Sequence, residues 1–160
     1  MADELTHVDA AGAARMVDVS GKQQSLRTAI ASGRVRTTPA VLQALRDNTI
    51  AKGDAIGVAR VAGIMAAKRT QELIPLCHHI AISGVTVDFS LTDSEVQLTA
   101  TVRTTDRTGV EMEALTAVAV AGLTVHDMIK AMDPAAVLTD VRLEVKEGGK
   151  TGRWERPADR

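Results

Sequence analysis

Asp127 and Lys130 stand three apart near the end of a mostly apolar stretch, residues 108–133, reading TGVEMEALTAVAVAGLTVHDMIKAMD. At helical spacing such residues are neighbours on one face, and Glu113 projects within about 40° of Asp127 on the same face. A carboxylate beside a lysine on an apolar helix lowers the carboxylate pKa or holds the lysine for acid–base work. An exposed ion pair of almost neutral energy is the commoner meaning of that spacing. Taken alone, the pair is therefore weak support for a site.

The other reactive groups divide in the same way. Cys77-His78-His79 suggests a metal, but no second motif with ligand spacing exists and His7 and His126 stand alone, so no metal is expected. A Cys77–His78 nucleophilic pair is also poor, because adjacent side chains on an extended segment point apart. Gly148-Gly149-Lys150-Thr151-Gly152 resembles the end of a phosphate-binding P-loop, yet Glu144 occupies the place of the first glycine and no helix follows. A glycine-rich turn can still aim backbone N–H groups at phosphate alongside Lys146 or Lys150. Lys52 and Lys68 are ordinary surface lysines unless a site gathers them.

Composition limits what these groups can serve. With 160 residues, one Phe, one Trp and no Tyr, the chain can form one domain with an aliphatic core. Lys and Arg number 19 against 20 Asp and Glu, a net charge of −1, which argues against a surface that coats nucleic acid. A single cysteine excludes a disulfide framework within the chain. The N-terminus, MADELTHVDA, lacks the basic-then-apolar pattern of an export signal, and no uninterrupted apolar run reaches the roughly 20 residues that span a bilayer. A cytoplasmic protein, in contact with neither membrane nor nucleic acid, is expected.

The elements that must position the candidates follow from periodicity. Residues 1–15 read as a mobile arm, 16–152 as a single catalytic domain, and 153–160 as a flexible tail. Residues 25–37 read as a strand. Thr38-Pro39 starts a short helix carrying Val41, Leu42 and Leu45. A second helix follows Lys52-Gly53-Asp54, and its alanines and glycines fit close packing on a sheet or another subunit. Strands over 80–91 and 96–104 flank a turn at 92–95, residues 108–133 form one long helix bounded by Thr108-Gly109, and a last strand runs from Val137 to the Gly148-Gly149 turn. This order is βαββαβ with one extra helix and an N-terminal extension. It predicts an α+β ferredoxin-like sandwich, an antiparallel sheet with helices packed on one face.

The blocks MVDVS, KGDA, AAKRT, IPLCHH, TGVEMEALTA, HDMIKAM and VKEGGKTG, taken in order over about residues 5 to 152, resemble the cyclic pyranopterin monophosphate synthase (MoaC) family of molybdenum cofactor biosynthesis. The resemblance implies a lyase that converts 3′,8-cyclo-7,8-dihydroguanosine 5′-triphosphate into cyclic pyranopterin monophosphate and pyrophosphate. It also implies no organic cofactor and a homohexamer built as a trimer of dimers. It makes Asp127, Lys52 and Lys130 the catalytic set. Substrate contacts carry over to Leu76, Cys77, His78, Met112, Glu113 and Glu111, with Arg27, Lys68 and Lys146 in support. His79, Arg107 and His126 depart from residues common at the family's flanking positions. A site completed between subunits is expected, with Arg27 and the 75–78 loop on different chains. The rival is a non-catalytic ligand-binding or assembly module, which has no reason to gather Lys52, Lys68, His78, Glu113, Asp127 and Lys130. Among enzymes, a phosphate-binding deaminase or cyclohydrolase is the runner-up.

Overall fold

The computed structural model describes residues 8–9 and 11–158; the rest of the expected N-terminal arm, with His7, and residues 159–160 of the expected tail lie outside them. Nine elements follow in chain order: β1 (Ser25–Arg36), α1 (Pro39–Arg46), α2 (Ala55–Lys68), α3 (Thr70–Leu73), β2 (Gly84–Leu91), β3 (Glu95–Asp106), α4 (Glu111–Ile129), β4 (Val137–Glu147) and β5 (Trp154–Glu155). The sheet order is β2-β3-β1-β4-β5, with every pairing antiparallel. Each helical crossover returns the chain two strands away, which leaves the intervening lane for the other half. The fold is the ferredoxin-like α+β arrangement expected.

Strand alternation decides which face meets the helices. Ala29, Ala31 and Val35 of β1 and Val96, Leu98, Ala100 and Val102 of β3 are buried on one face, while Thr99, Arg103, Thr86 and Asp88 stand exposed on the other. Small residues on both partners draw α4 onto β1: a Cβ on Gly33 would lie 2.6 Å from Val118 Cγ1. The alanines and glycines of α2 turn inward, and a Cβ on Gly63 would meet the Ala117 carbonyl at 3.0 Å and Ala121 Cβ at 3.1 Å. The slim faces thus pack α2 against α4 within one chain. What remains outside on α2 is an apolar stripe, Val58, Val61 and Met65, each about half exposed. Val118, Val125 and Ile129 of α4 are fully buried, each worth about 1.5–3 kcal/mol. By length and composition α4 could cross a membrane, but here it is the central helix on the sheet.

Several boundaries differ from expectation. The long helix starts at Glu111, because Thr108 lies in a bend and Gly109 and Val110 are not helical. It stops at Ile129, where the Met132 and Asp133 amides both fold back onto the Ile129 carbonyl. The strand expected over 80–91 pairs only from Gly84. Residues 80–83 run irregularly, held by Thr104 Oγ1 donating to the Ala81 carbonyl at 2.6 Å. The single-turn helix α3 interrupts the path into that segment. Within the stretch read as a flexible tail, Trp154–Glu155 pairs with Lys146 and Val145, and Arg156 Nε donates to the Leu143 carbonyl at 2.7 Å.

Candidate active site

The two ends of α4 carry two clusters of functional groups. At its C-terminal end, Asp127 accepts hydrogen bonds from two lysines, one on each carboxylate oxygen. Lys130 Nζ lies 2.7 Å from Oδ1 and Lys52 Nζ 2.8 Å from Oδ2. Lys52 also donates to the Asp127 backbone carbonyl at 2.8 Å. Local sequence explains its aim: Asp54 caps α2 by accepting from the Gly57 amide at 2.9 Å, which fixes the 52–54 turn beside the end of α4. The hydrogen bond from Lys130, then that from Lys52, holds the Asp127 pKa down at about 2. This carboxylate stays ionised at working pH and serves as a fixed anion that orients two cations.

At the N-terminal end of α4, a cleft of about 390 Å³ opens between four segments. Val17, Val19 and Lys22 form one wall, and Leu76, Cys77, His78 and Ile80 form the second. The 108–113 turn and first helical turn make the floor, and Leu143 and Lys146 of β4 close it. Mostly apolar walls with a few converging polar groups suit a flat heterocycle. His78 Nε2 donates to the Val17 carbonyl at 2.6 Å and so ties the N-terminal segment to the loop. Lys146 Nζ stands 3.7 Å from Glu111 Oε1. Burial first, then the nearby Glu113 charge, pushes the Cys77 thiol pKa up, which disfavours the nucleophilic thiolate.

Glu113 is the unusual group in this cleft. The residue is buried, at 3% exposure, with its own backbone N–H as hydrogen-bond donor to the carboxylate. The helix dipole favours an anion in a first turn, but desolvation outweighs it. Burial raises the pKa to about 7, against the opposing hydrogen bond from its own backbone N–H and with the Glu111 charge adding repulsion. The carboxyl group therefore both donates and accepts hydrogen bonds near neutrality, a combination suited to a ring edge.

This shift predicts a pH dependence of stability. Below pH 4.5 both folded and unfolded states hold the proton, so burial costs nothing through ionisation. As pH rises from 4.5 towards 7 the unfolded chain releases it first, stability falls, and above pH 7 the penalty is constant. Glu113→Gln removes the penalty. Its stability gain over the parent should be absent below pH 4.5 and grow to at most about 3 kcal/mol above pH 7. Denaturant unfolding at fixed protein concentration reads this directly, and a gain independent of pH would contradict it.

Leu76, Cys77, His78, Glu111, Met112, Glu113 and Lys146 thus gather as the sequence reading expects, and Lys52, Asp127 and Lys130 gather separately. The two groups do not share one pocket within a chain. Glu113 and Asp127 share an azimuth, but 14 residues of helix separate them by about 21 Å. Lys68 is exposed in the last turn of α2. Arg27 stands behind the cleft floor, its Nε donating to the Asp106 carbonyl and its Nη2 to the Arg107 carbonyl, each at 3.4 Å. Within one chain it therefore lies beside the 106–108 segment that leads into the cleft floor. The β1–β3 register, which pairs Ser25 with Asp106, brings it there. Sequence reading missed Val17, Val19, Lys22 and Ile80 as cleft residues, and took Thr108-Gly109 only as a helix boundary. The alternation of Val17 and Val19 was the available signal for an extended wall segment.

The MoaC family model matches residues 16–149. Among similar proteins is the cyclic pyranopterin monophosphate synthase of Streptomyces coelicolor, 65% identical over 154 residues, covering 96% of this chain and 91% of that one. The protein of the same name from Nocardioides sp. is 65% identical over 156 residues, 96% of each chain. Its namesake from Novosphingobium aromaticivorans is 53% identical over 153 residues, 96% of this chain and 98% of that one. With matches of this extent spanning both clusters, the chain belongs to the MoaC family.

Proposed function

We propose that this protein is a cyclic pyranopterin monophosphate synthase of molybdenum cofactor biosynthesis, converting 3′,8-cyclo-7,8-dihydroguanosine 5′-triphosphate into cyclic pyranopterin monophosphate and pyrophosphate. The observation that carries the reading is the Asp127 carboxylate gripped by Lys52 and Lys130, in a chain that resembles such synthases along nearly its whole length. The final step is an internal displacement: a substrate hydroxyl loses its proton and attacks the α-phosphorus, the new P–O bond forms, and the bond to pyrophosphate breaks. No water is consumed, which makes the enzyme a phosphorus–oxygen lyase. Ring opening and reclosure before it require proton transfers, and the displacement requires cations on developing charge. Asp127 orients both lysines, so that one exchanges protons while the other stabilises phosphate. The purine-derived ring fits the cleft, with Glu113 on its polar edge, His78 holding the wall, and Lys146, Lys22 and Arg27 facing the phosphates.

This reading makes the site a shared one. Within a chain five of the six marker residues fall into two clusters rather than one pocket, Lys68 standing apart in solvent, and by itself that is no better than an assembly module would give. Supplying the cleft from one copy and the lysine–aspartate cluster from another unites them without moving either. The exposed Val58, Val61 and Met65 stripe supports association of like chains. We take the assembly as a homohexamer, a trimer of dimers, working in the cytoplasm without an organic cofactor. The deciding experiment supplies purified protein with the cyclic dihydroguanosine triphosphate and measures pyrophosphate and pterin product together. Both should appear in equal amounts; pyrophosphate without the pterin, or neither, would overturn the assignment.

A further inference from the structure

The turn after β4 is pressed onto Arg27. Gly148 and Gly149 have φ of +99° and +74°, and a Cβ on Gly149 would lie 1.9 Å from Arg27 Nη1 and 2.8 Å from its Cζ. On Gly148 it would instead strike backbone, 2.2 Å from the Leu26 carbonyl oxygen. The two glycines therefore differ. Gly148 lets the main chains approach, whereas only the mobile end of a side chain would have to yield at Gly149. The guanidinium is held on one side by the Asp106 and Arg107 carbonyls, at 3.4 Å, and on the other by the bare Gly149 backbone.

We propose that Gly149 is a positioning residue for substrate phosphate. By lacking a side chain it keeps the Arg27 guanidinium against the strand-end carbonyls, beside the turn that floors the cleft, and so fixes the direction of its remaining N–H groups. The proposal rests on the reading of Arg27 as a phosphate contact, and it goes beyond that reading in naming what aims the arginine. A guanidinium aimed in advance loses less freedom on meeting a phosphate than one free to swing. Any side chain at position 149 would push it out of that orientation while leaving Lys146 and the cleft walls in place.

Gly152 provides the comparison. It shares the turn and has φ of +64°, yet a Cβ there would meet nothing within 4 Å. Backbone strain alone would thus make Gly149→Ala and Gly152→Ala behave alike. The experiment measures KM and kcat for the cyclic dihydroguanosine triphosphate, and calorimetric affinity for inorganic tripolyphosphate. It compares the intact oligomer with Gly149→Ala, Gly152→Ala, Arg27→Ala and Arg27→Ala/Gly149→Ala. Loss of a charge-assisted contact predicts that Gly149→Ala raises KM and weakens tripolyphosphate binding about tenfold, with kcat within about twofold. Arg27→Ala should do the same, the double variant should be no worse than Arg27→Ala, and Gly152→Ala should match the parent. Equal effects of Gly149→Ala and Gly152→Ala would overturn the proposal, as would additive losses in the double variant. Arg27→Ala without effect on either measurement would remove Arg27 from binding, and the proposal with it. A loss at Arg27→Ala with none at Gly149→Ala would sink the positioning role alone.

Discussion

Asp127→Asn is expected to leave folding and assembly unchanged and to reduce kcat by on the order of a hundredfold or more. The substitution keeps size and shape, and the side chain is half exposed, so little packing is at stake. What disappears is the charge. An amide offers one acceptor oxygen where the carboxylate offers two, and the present geometry uses both, Oδ1 for Lys130 and Oδ2 for Lys52. One lysine must lose its partner, and neither faces an anion any longer. Lys52→Ala and Lys130→Ala should likewise lower kcat more than they raise KM, since each removes one of the groups that handle protons or leaving charge. Circular dichroism, size-exclusion mass and steady-state rates check the three variants side by side. An Asp127→Asn protein that turns over at the parental rate would remove this cluster from the chemistry.

The same cluster shows what was legible in the sequence. Asp127 and Lys130 are an i, i+3 pair on a regular helix, so periodicity alone places them side by side. Lys52 joins them from 75 residues away, and only the block resemblance connected it beforehand. Helical azimuth was misleading for Glu113: it places that residue on the Asp127 face but says nothing of the distance along the axis, which puts the two at opposite ends. Burial of Glu113 was hidden too, because a first-turn glutamate reads as a solvated residue favoured by the dipole. That reading holds only until Leu76, Cys77 and Ile80 are folded over the helix start. The hairpin of β2 and β3 was clear from alternation and turn residues, whereas β1 was less so, because its alternation is imperfect and its alanines permit helix. The two-residue β5 was not, because so short an edge carries no period, and the turn that presses Gly149 on Arg27 depends on dihedral angles that spacing does not encode.

Separation of the two clusters along α4 leads to the second large effect. If each working site takes its cleft from one chain and its Asp127 cluster from another, two inactive variants should restore each other. Arg27→Ala/Lys146→Ala strips the cleft of two cations and should be almost inactive at substrate concentrations well below its KM, while Asp127→Asn keeps its much reduced turnover at any concentration. In an oligomer mixed at random in equal parts, a given site draws an intact cleft with probability one half and an intact Asp127 with probability one half. About one quarter of parental activity should therefore return. Co-expression under two affinity tags, followed by purification on both, ensures that both chains are present in the oligomers assayed. A site contained within one chain would give no recovery, since every subunit would carry a damaged half. Recovery near one quarter would place the reacting centre where the cleft of one copy meets the lysines of another, whereas activity no greater than the parents' sum would overturn the shared site and with it the joint role of the two clusters, which one continuous helix holds about 21 Å apart.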